Sequence, residues 1–224
     1  KAIAQEGVDI IIETNGTLVD SGTARFLKDA GRVCFISVSV DGAKAETHES
    51  LRVVPGSFEK AIEGIRALVE AGFKPQLICT LHRGNIGEIA EVIALAERLD
   101  CGSVKFNHVQ CMGRGSRMHE EKHGLSVEEI IRIYKRLESE FVPRSRVKVF
   151  FDIPIAFYSI RKIMNGNPGR CNVLNLLGVL SGGELSLCGV GVLVPELIFG
   201  HLSSDNLKDV WKEAPGLKEL RRLI

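Results

Sequence analysis

Over its first two thirds the chain alternates short β-prone apolar runs with amphipathic stretches of helical spacing, and this rhythm constrains the fold more than any other feature. Val8–Glu13 precedes helical Ser21–Ala30, and Val33–Val40 precedes Ser57–Ala71, where Phe58, Ile62, Ile65 and Val69 form one stripe. Pro75–Leu81 with Ile86–Leu99, and Ser103–Val109 with Ser126–Glu140, repeat the unit. Ser126 is the expected N-cap of the last helix, with Glu129 three residues on. A further strand at Val147–Phe151 leads to a helical segment at Ile155–Met164. Successive βα units of this kind predict an α/β fold with a parallel sheet and outer helices, either an open doubly wound sheet or part of a barrel. The break at Gly166-Asn-Pro-Gly169 divides the chain into residues 1–165, a partial (β/α) barrel, and residues 166–224, a β-hairpin with one or two short helices.

Composition removes several function classes. The 224 residues are 45% hydrophobic and 25% charged, with a net charge of +1, which favours neither nucleic acid nor an anionic membrane as partner. No apolar run approaches the roughly 18 residues needed to span a bilayer. Six cysteines in a chain of this size do not make a disulfide framework, and a reducing, cytoplasmic setting suits them. Cys34, Cys79, Cys101 and Cys111 lie in or beside apolar runs, where core packing is the expectation. No Walker loop, dinucleotide fingerprint, Gly-x-Ser-x-Gly elbow or His-Glu-x-x-His motif occurs, which weakens nucleotidase, dehydrogenase and hydrolase readings.

In parallel βα architectures ligands gather at the carboxyl ends of the strands. Glu13-Thr-Asn-Gly16 closes the first strand with hydrogen-bonding groups. In Phe35-Ile-Ser-Val-Ser-Val-Asp-Gly42, alternation puts Ser37, Ser39 and Asp41 on one face and predicts a wet or ligand-filled lumen. Later strands end in Thr80-Leu-His-Arg-Gly-Asn85 and Asn107-His-Val-Gln-Cys-Met-Gly-Arg-Gly115. His48 and Arg52 fall on the loop after the second strand, where isolated residues of these types are solvated as a rule. Near the end, Cys171 and Cys188 flank two apolar stretches broken by Ser181-Gly182-Gly183, a hairpin signal. Two thiolates at its base form half of an iron–sulfur or zinc site.

The ordered series resembles the middle and late part of a radical S-adenosylmethionine (SAM) enzyme with a SPASM or twitch extension. The segments that carry the resemblance are Glu13-Thr-Asn-Gly-Thr-Leu18, Ser37-Val-Ser-Val-Asp-Gly42, His48-x-x-x-Arg52 with Gly56-Ser-Phe58, Arg83-Gly-Asn85, Met112-Gly-Arg114 and the Cys171–Cys188 stretch. Pro195-Glu-Leu-x-Phe-Gly200 and Leu207-Lys-Asp-Val-Trp211 follow in the same order. The resemblance implies a SAM pocket with Ser39 near the ribose or amino acid moiety and Arg52 at the carboxylate. Thr14, Asn15, Asp41 and Asn85 would line the same cavity. It implies Cys171 and Cys188 as ligands of an auxiliary [4Fe–4S] cluster, with zinc as the alternative metal.

The family's Cys-x3-Cys-x2-Cys, ligand of the SAM-cleaving [4Fe–4S] cluster, does not occur in these residues, nor does its glycine-rich strand end before Thr-Asn-Gly. The expectation is therefore a fragment, inactive alone, of a parent that makes a 5′-deoxyadenosyl radical. Such a parent would modify a peptide or protein and draw electrons from a donor such as flavodoxin or ferredoxin. A tetrapyrrole or small-cofactor substrate is the alternative within the class. Two readings stand outside it: a degenerate barrel that only binds a peptide or partner, and a plain aldolase or isomerase using Asp41 or Lys105 as base.

Overall fold

The computed structural model describes residues 2–158, 160–165 and 175–223. They divide into two compact units, Lys1–Phe157 and Tyr158–Ile224. The helix Ile160–Asn165 groups with the second unit, so the division falls before the Gly166–Gly169 break that the sequence suggested.

The first unit follows the expected rhythm after a short helix α1 (Ala2–Gln5). Its elements are β1 (Ile10–Thr14), α2 (Ser21–Asp29), β2 (Val33–Ser39), α3 (Ala45–Arg52), α4 (Ser57–Glu70) and β3 (Gln76–Leu81). Then come α5 (Ile89–Arg98), β4 (Ser103–His108), α6 (Arg114–Glu120), α7 (Val127–Arg136) and β5 (Lys148–Phe151). The strands are parallel and lie in the order β1-β2-β3-β4-β5. A doubly wound sheet reverses its order at a switch point. A sheet that adds each strand on the same side is a segment of a (β/α) barrel.

Register divides the sheet into two unlike faces. Ile36, Val38 and Val40, Leu77, Cys79 and Leu81, with Val104 and Phe106, are almost fully buried on one face. Helices α4 and α5 cover it with Ala61, Ile62, Ile65 and Leu68 and with Ile89, Val92, Ile93 and Ala96. On the other face Glu13 pairs with Ser37, Ser37 with Gln76, and Gln76 with Ser103, where the Gln76 amide donates to Ser103 Oγ at 2.9 Å. One step along, Ser39, Ile78, Lys105 and Phe150 form the next row. This polar face is the one the alternation of Ser37, Ser39 and Asp41 predicted.

Local signals account for most element ends. Ser126 accepts from the Glu129 amide and Glu129 returns a bond to the Ser126 N–H, the capping box expected at α7. The expected helix over Ser126–Glu140 is α-helical only to Arg136 and widens into a π turn over Leu137–Phe141. Helices α3 and α6 were not expected. Cys79 and Cys101 are buried as predicted, whereas Cys34 and Cys111 are exposed. Cys34 lies at the start of β2, where its face is open, and its thiol donates to the Ile10 carbonyl.

The second unit contains α8 (Ile160–Asn165), a three-stranded antiparallel sheet of β6 (Gly178–Val179), β7 (Glu184–Ser186) and β8 (Ile198–His201), then α9 (Leu207–Glu213) and α10 (Pro215–Leu223). The hairpin turns where the sequence placed it, with Gly183 at φ +101°. The third strand is an addition. Leu185, Leu187, Val210, Ala214 and Leu217 make its core, packed by Leu177, Leu197, Phe199 and Leu220.

One close approach in the first unit joins α4 to the turn after β1. A Cβ on Gly64 would lie 2.3 Å from the Gly16 carbonyl oxygen. Gly64→Ala is therefore expected to lower unfolding free energy by about 1–3 kcal/mol through overpacking. Gly87→Ala, with open space at its Cβ, serves as control in a urea titration.

Candidate functional site

The site is built where β2 and β3 end. Asp41, two residues beyond β2, is fully buried, and its carboxylate has two anchors. Oδ1 accepts from the Thr80 amide at 2.9 Å and Oδ2 from Arg52 Nε at 2.6 Å. Arg52 reaches it because Gly42 lets the chain turn into α3: a Cβ on Gly42 would lie 2.7 Å from Thr47 Cβ. Glu88 holds that turn, accepting from the Ala43 amide at 2.8 Å and from Thr47 Oγ1 at 2.5 Å. On α3, His48 and Arg52 are four residues apart and share a face. His48 is 2% exposed, and its Nδ1 accepts from the Asp41 amide at 3.0 Å. It is thus a buried support rather than the solvated loop residue the sequence suggested.

Asn85 ties the two strand ends together. Its Nδ2 donates to the carbonyls of Asp41 and Thr80, each at 2.9 Å, and its Oδ1 accepts from the His82 amide at 2.8 Å. The His82 ring continues the same turn, with Nδ1 accepting from the Gly84 amide at 3.1 Å. Arg83 latches this loop outward through a forked pair with Glu129 and a bond to the Lys122 carbonyl.

Beside this network lies a cavity of about 1110 Å³ whose lining includes Asp41, Arg52, Thr80, His82, Asn107 and His108. Three polar atoms at these lining residues are buried without a hydrogen-bond partner among the described residues: His82 Nε2, Asn107 Oδ1 and His108 Nδ1. Unpartnered buried polar atoms are costly, and these three belong to residues gathered at the wall of one cavity.

The six residues expected at a SAM site are thus placed differently from one another. Asp41 and Arg52 line the cavity. Asn85 belongs to the same network but is bonded to backbone. Ser39 lies half-buried on the polar sheet face, next to Ile78. Thr14 and Asn15 shape their own turn, with Thr14 Oγ1 accepting from the Gly16 amide and Asn15 Oδ1 from the Thr17 amide and hydroxyl. Cys188 is half-buried just after β7, and its carbonyl accepts from Ser186 Oγ at 2.6 Å. Cys171 lies outside the described residues. Among those described, no three His, Cys, Asp or Glu side chains gather as a metal site.

Sequence reasoning did not select His82, Asn107 or His108, nor His48. The His48–Arg52 spacing was the available signal, because four residues on a helix put both side chains above the end of β2.

Both His48 and His82 are held below the usual imidazole range, chiefly by burial and against the pull of Asp41. A group whose folded value is depressed binds protons more readily when unfolded. Its contribution to stability is full above about pH 6.5 and is lost as the pH falls toward the depressed folded value. His48→Asn keeps an acceptor near Nδ1 and cannot titrate. Between about pH 7.5 and 5.5 its denaturation midpoint is expected to fall less than that of the unaltered protein. Equal falls would remove His48 from the linkage.

Residues 1–96 match the family model of the radical SAM superfamily. The chain is 30% identical to the Fe-coproporphyrin III synthase of Methanosarcina barkeri (strain Fusaro), over 98% of this chain and 60% of that protein. It is 25% identical to the PqqA peptide cyclase of Rhizobium meliloti (strain 1021), over 99% of this chain and 58% of that one. The chain thus spans about three fifths of the length of these curated relatives. The crystal structure of Streptococcus suis SuiB bound to precursor peptide SuiA shares the fold, with a TM-score of 0.76 at 14% identity over 98% of this chain and 51% of that one. Residues 1–96, the stretch matched by the radical SAM superfamily model, carry β1 to β3 with Asp41, His48 and Arg52.

Proposed function

We propose that this chain is the substrate- and cofactor-holding part of a radical SAM enzyme that acts on a carboxylated tetrapyrrole. One observation carries the reading: the strand-end cavity of about 1110 Å³, with unpartnered polar atoms at His82, Asn107 and His108. Small-molecule sites run to roughly 300–1,000 Å³, so this cavity has room for a cofactor and a substrate together. Support for the substrate class comes from the relatives. The Fe-coproporphyrin III synthase and an AdoMet-dependent heme synthase of the same organism are 30% and 27% identical over nearly the whole chain.

In this reading Arg52 pairs with a ligand carboxylate through its terminal nitrogens, since Asp41 engages only Nε. Asp41 holds that guanidinium in place, while Ser39 contacts the cofactor from the polar sheet face and Thr14 and Asn15 contact it from the end of β1. Bound SAM and its [4Fe–4S] cluster would supply a 5′-deoxyadenosyl radical, with single electrons from a donor such as flavodoxin or ferredoxin. The described residues do not fit that cluster: no set of three ligating side chains gathers there, and Cys-x3-Cys-x2-Cys does not occur in the sequence. The reading therefore assigns those ligands to residues beyond the 224 given. Cys188, with Cys171, is assigned to an auxiliary [4Fe–4S] cluster or a zinc ion.

A peptide substrate is the second reading, favoured by the PqqA peptide cyclase relatives and by the fold shared with peptide-bound SuiB. The test uses the full-length gene product, reconstituted anaerobically with iron and sulfide and supplied with SAM and a reductant. Formation of 5′-deoxyadenosine that rises with iron-coproporphyrin III, and not with candidate precursor peptides, is the expected outcome. Stimulation by a peptide alone would replace the substrate class, and no SAM cleavage under any condition would overturn the enzyme reading. Arg52→Ala, with its fold retained, is expected to weaken SAM or substrate binding by about tenfold, the scale of one charge-assisted pair.

A further inference from the structure

The turn after α3 holds a residue that its own backbone disfavours. α3 ends at Arg52, and the Val53 N–H closes it by donating to the Glu49 carbonyl at 2.7 Å, with Val53 at φ +58° and ψ +33°. This left-handed position past a helix goes to glycine as a rule, because a Cβ crowds the backbone there and a branched one crowds it most. Three residues on, Gly56 takes the same region at φ +76°. Among the described residues two other non-glycine residues have positive φ, Asp100 and Lys122, and neither is β-branched.

Packing within the described residues does not compensate for the valine. Val53 is 75% exposed, so few protein atoms meet its isopropyl group. Glycine or asparagine would make the same turn more easily. Strained backbone of this kind clusters at binding sites and ligand clamps.

Val53 stands at such a place. It lines the cavity of about 1110 Å³, as do Leu51, Met112 and Met118, and Met112 is likewise exposed. Pockets for small molecules are lined largely by apolar side chains, and an exposed valine there carries apolar area that a bound molecule removes from water. We propose that Val53 is a substrate-contact residue, whose isopropyl group packs on the apolar ring face of a bound tetrapyrrole. The identity of the ring rests on the function proposed above; the apolar contact does not.

Three substitutions separate backbone from side chain. Val53→Gly and Val53→Asn relieve the left-handed conformation and remove the isopropyl group, whereas Val53→Leu keeps an apolar side chain. The full-length protein, reconstituted with iron and sulfide, and the three variants would be compared by urea denaturation. Each would be titrated with iron-coproporphyrin III by absorbance and with 8-anilinonaphthalene-1-sulfonate, a flat aromatic probe, by fluorescence. The glycine and asparagine variants are expected to unfold at a urea concentration equal to or above that of the unaltered protein. They are expected to bind iron-coproporphyrin III about tenfold more weakly, the scale of one buried valine, with Val53→Leu within about twofold of the original affinity. Equal affinity in Val53→Asn, or a loss in Val53→Leu as large as in Val53→Asn, would overturn the contact and leave the tetrapyrrole reading standing. A lower urea midpoint in both the glycine and asparagine variants would also overturn it, by making the valine a structural residue. If the unaltered protein does not bind iron-coproporphyrin III, the tetrapyrrole reading fails and the aromatic probe decides. Weaker probe binding by Val53→Asn, retained in Val53→Leu, then supports the apolar contact, and equal binding overturns it.

Discussion

The buried carboxylate of Asp41 is the interaction on which the site depends. A fully buried anion is tolerated only when charge and hydrogen bonds meet it. Here the partners come from three elements: the Thr80 amide at the end of β3, Arg52 from the last turn of α3, and, through the residue's own backbone, His48 and Asn85. Each partner fixes a different degree of freedom. Thr80 sets the stagger of β2 against β3, Arg52 sets the orientation of α3, and Asn85 closes the turn that carries His82. Satisfying one charge therefore also defines one wall of the cavity.

That arrangement follows from the two unlike faces of the sheet. The apolar face is sealed by α4 and α5, whose buried stripes leave no room for polar groups. Polar side chains on the strands have only the opposite face and the strand ends available. Along the opposite face Gln76 meets Ser103, and at the C-terminal end Asp41 meets Thr80. The polar network is thus a consequence of sheet alternation, with the strongest charge at the end where helices no longer cover the strands.

Much of this is legible in the sequence. Val38 and Val40 against Ser37, Ser39 and Asp41 show the two faces directly, because alternation has a period of two and the strand is short. The hairpin at Ser181-Gly182-Gly183 is also readable, because a left-handed residue such as Gly183 has few substitutes. The barrel segment, by contrast, needed the strand order, which is a tertiary fact. Helix α3 was hidden for a local reason: Ala45–Arg52 has one buried residue, His48, so it lacks the apolar stripe by which helices are recognised. Asn85 illustrates the opposite limit. Its position at a strand end points to ligand contact, yet three backbone bonds occupy its amide, and no sequence pattern distinguishes a side chain that binds ligand from one that binds backbone.

His82 shows how one side chain does both. Its Nδ1 belongs to the loop while the residue lines the cavity, and the bond at Nδ1 decides the chemistry of Nε2. Because the Gly84 amide can only donate, it requires a lone pair at Nδ1, and so the proton of a neutral ring resides on Nε2. Burial, which disfavours the charged ring, removes the remaining alternative of two N–H groups. The turn that Asn85 closes therefore fixes a polarity as well as a shape.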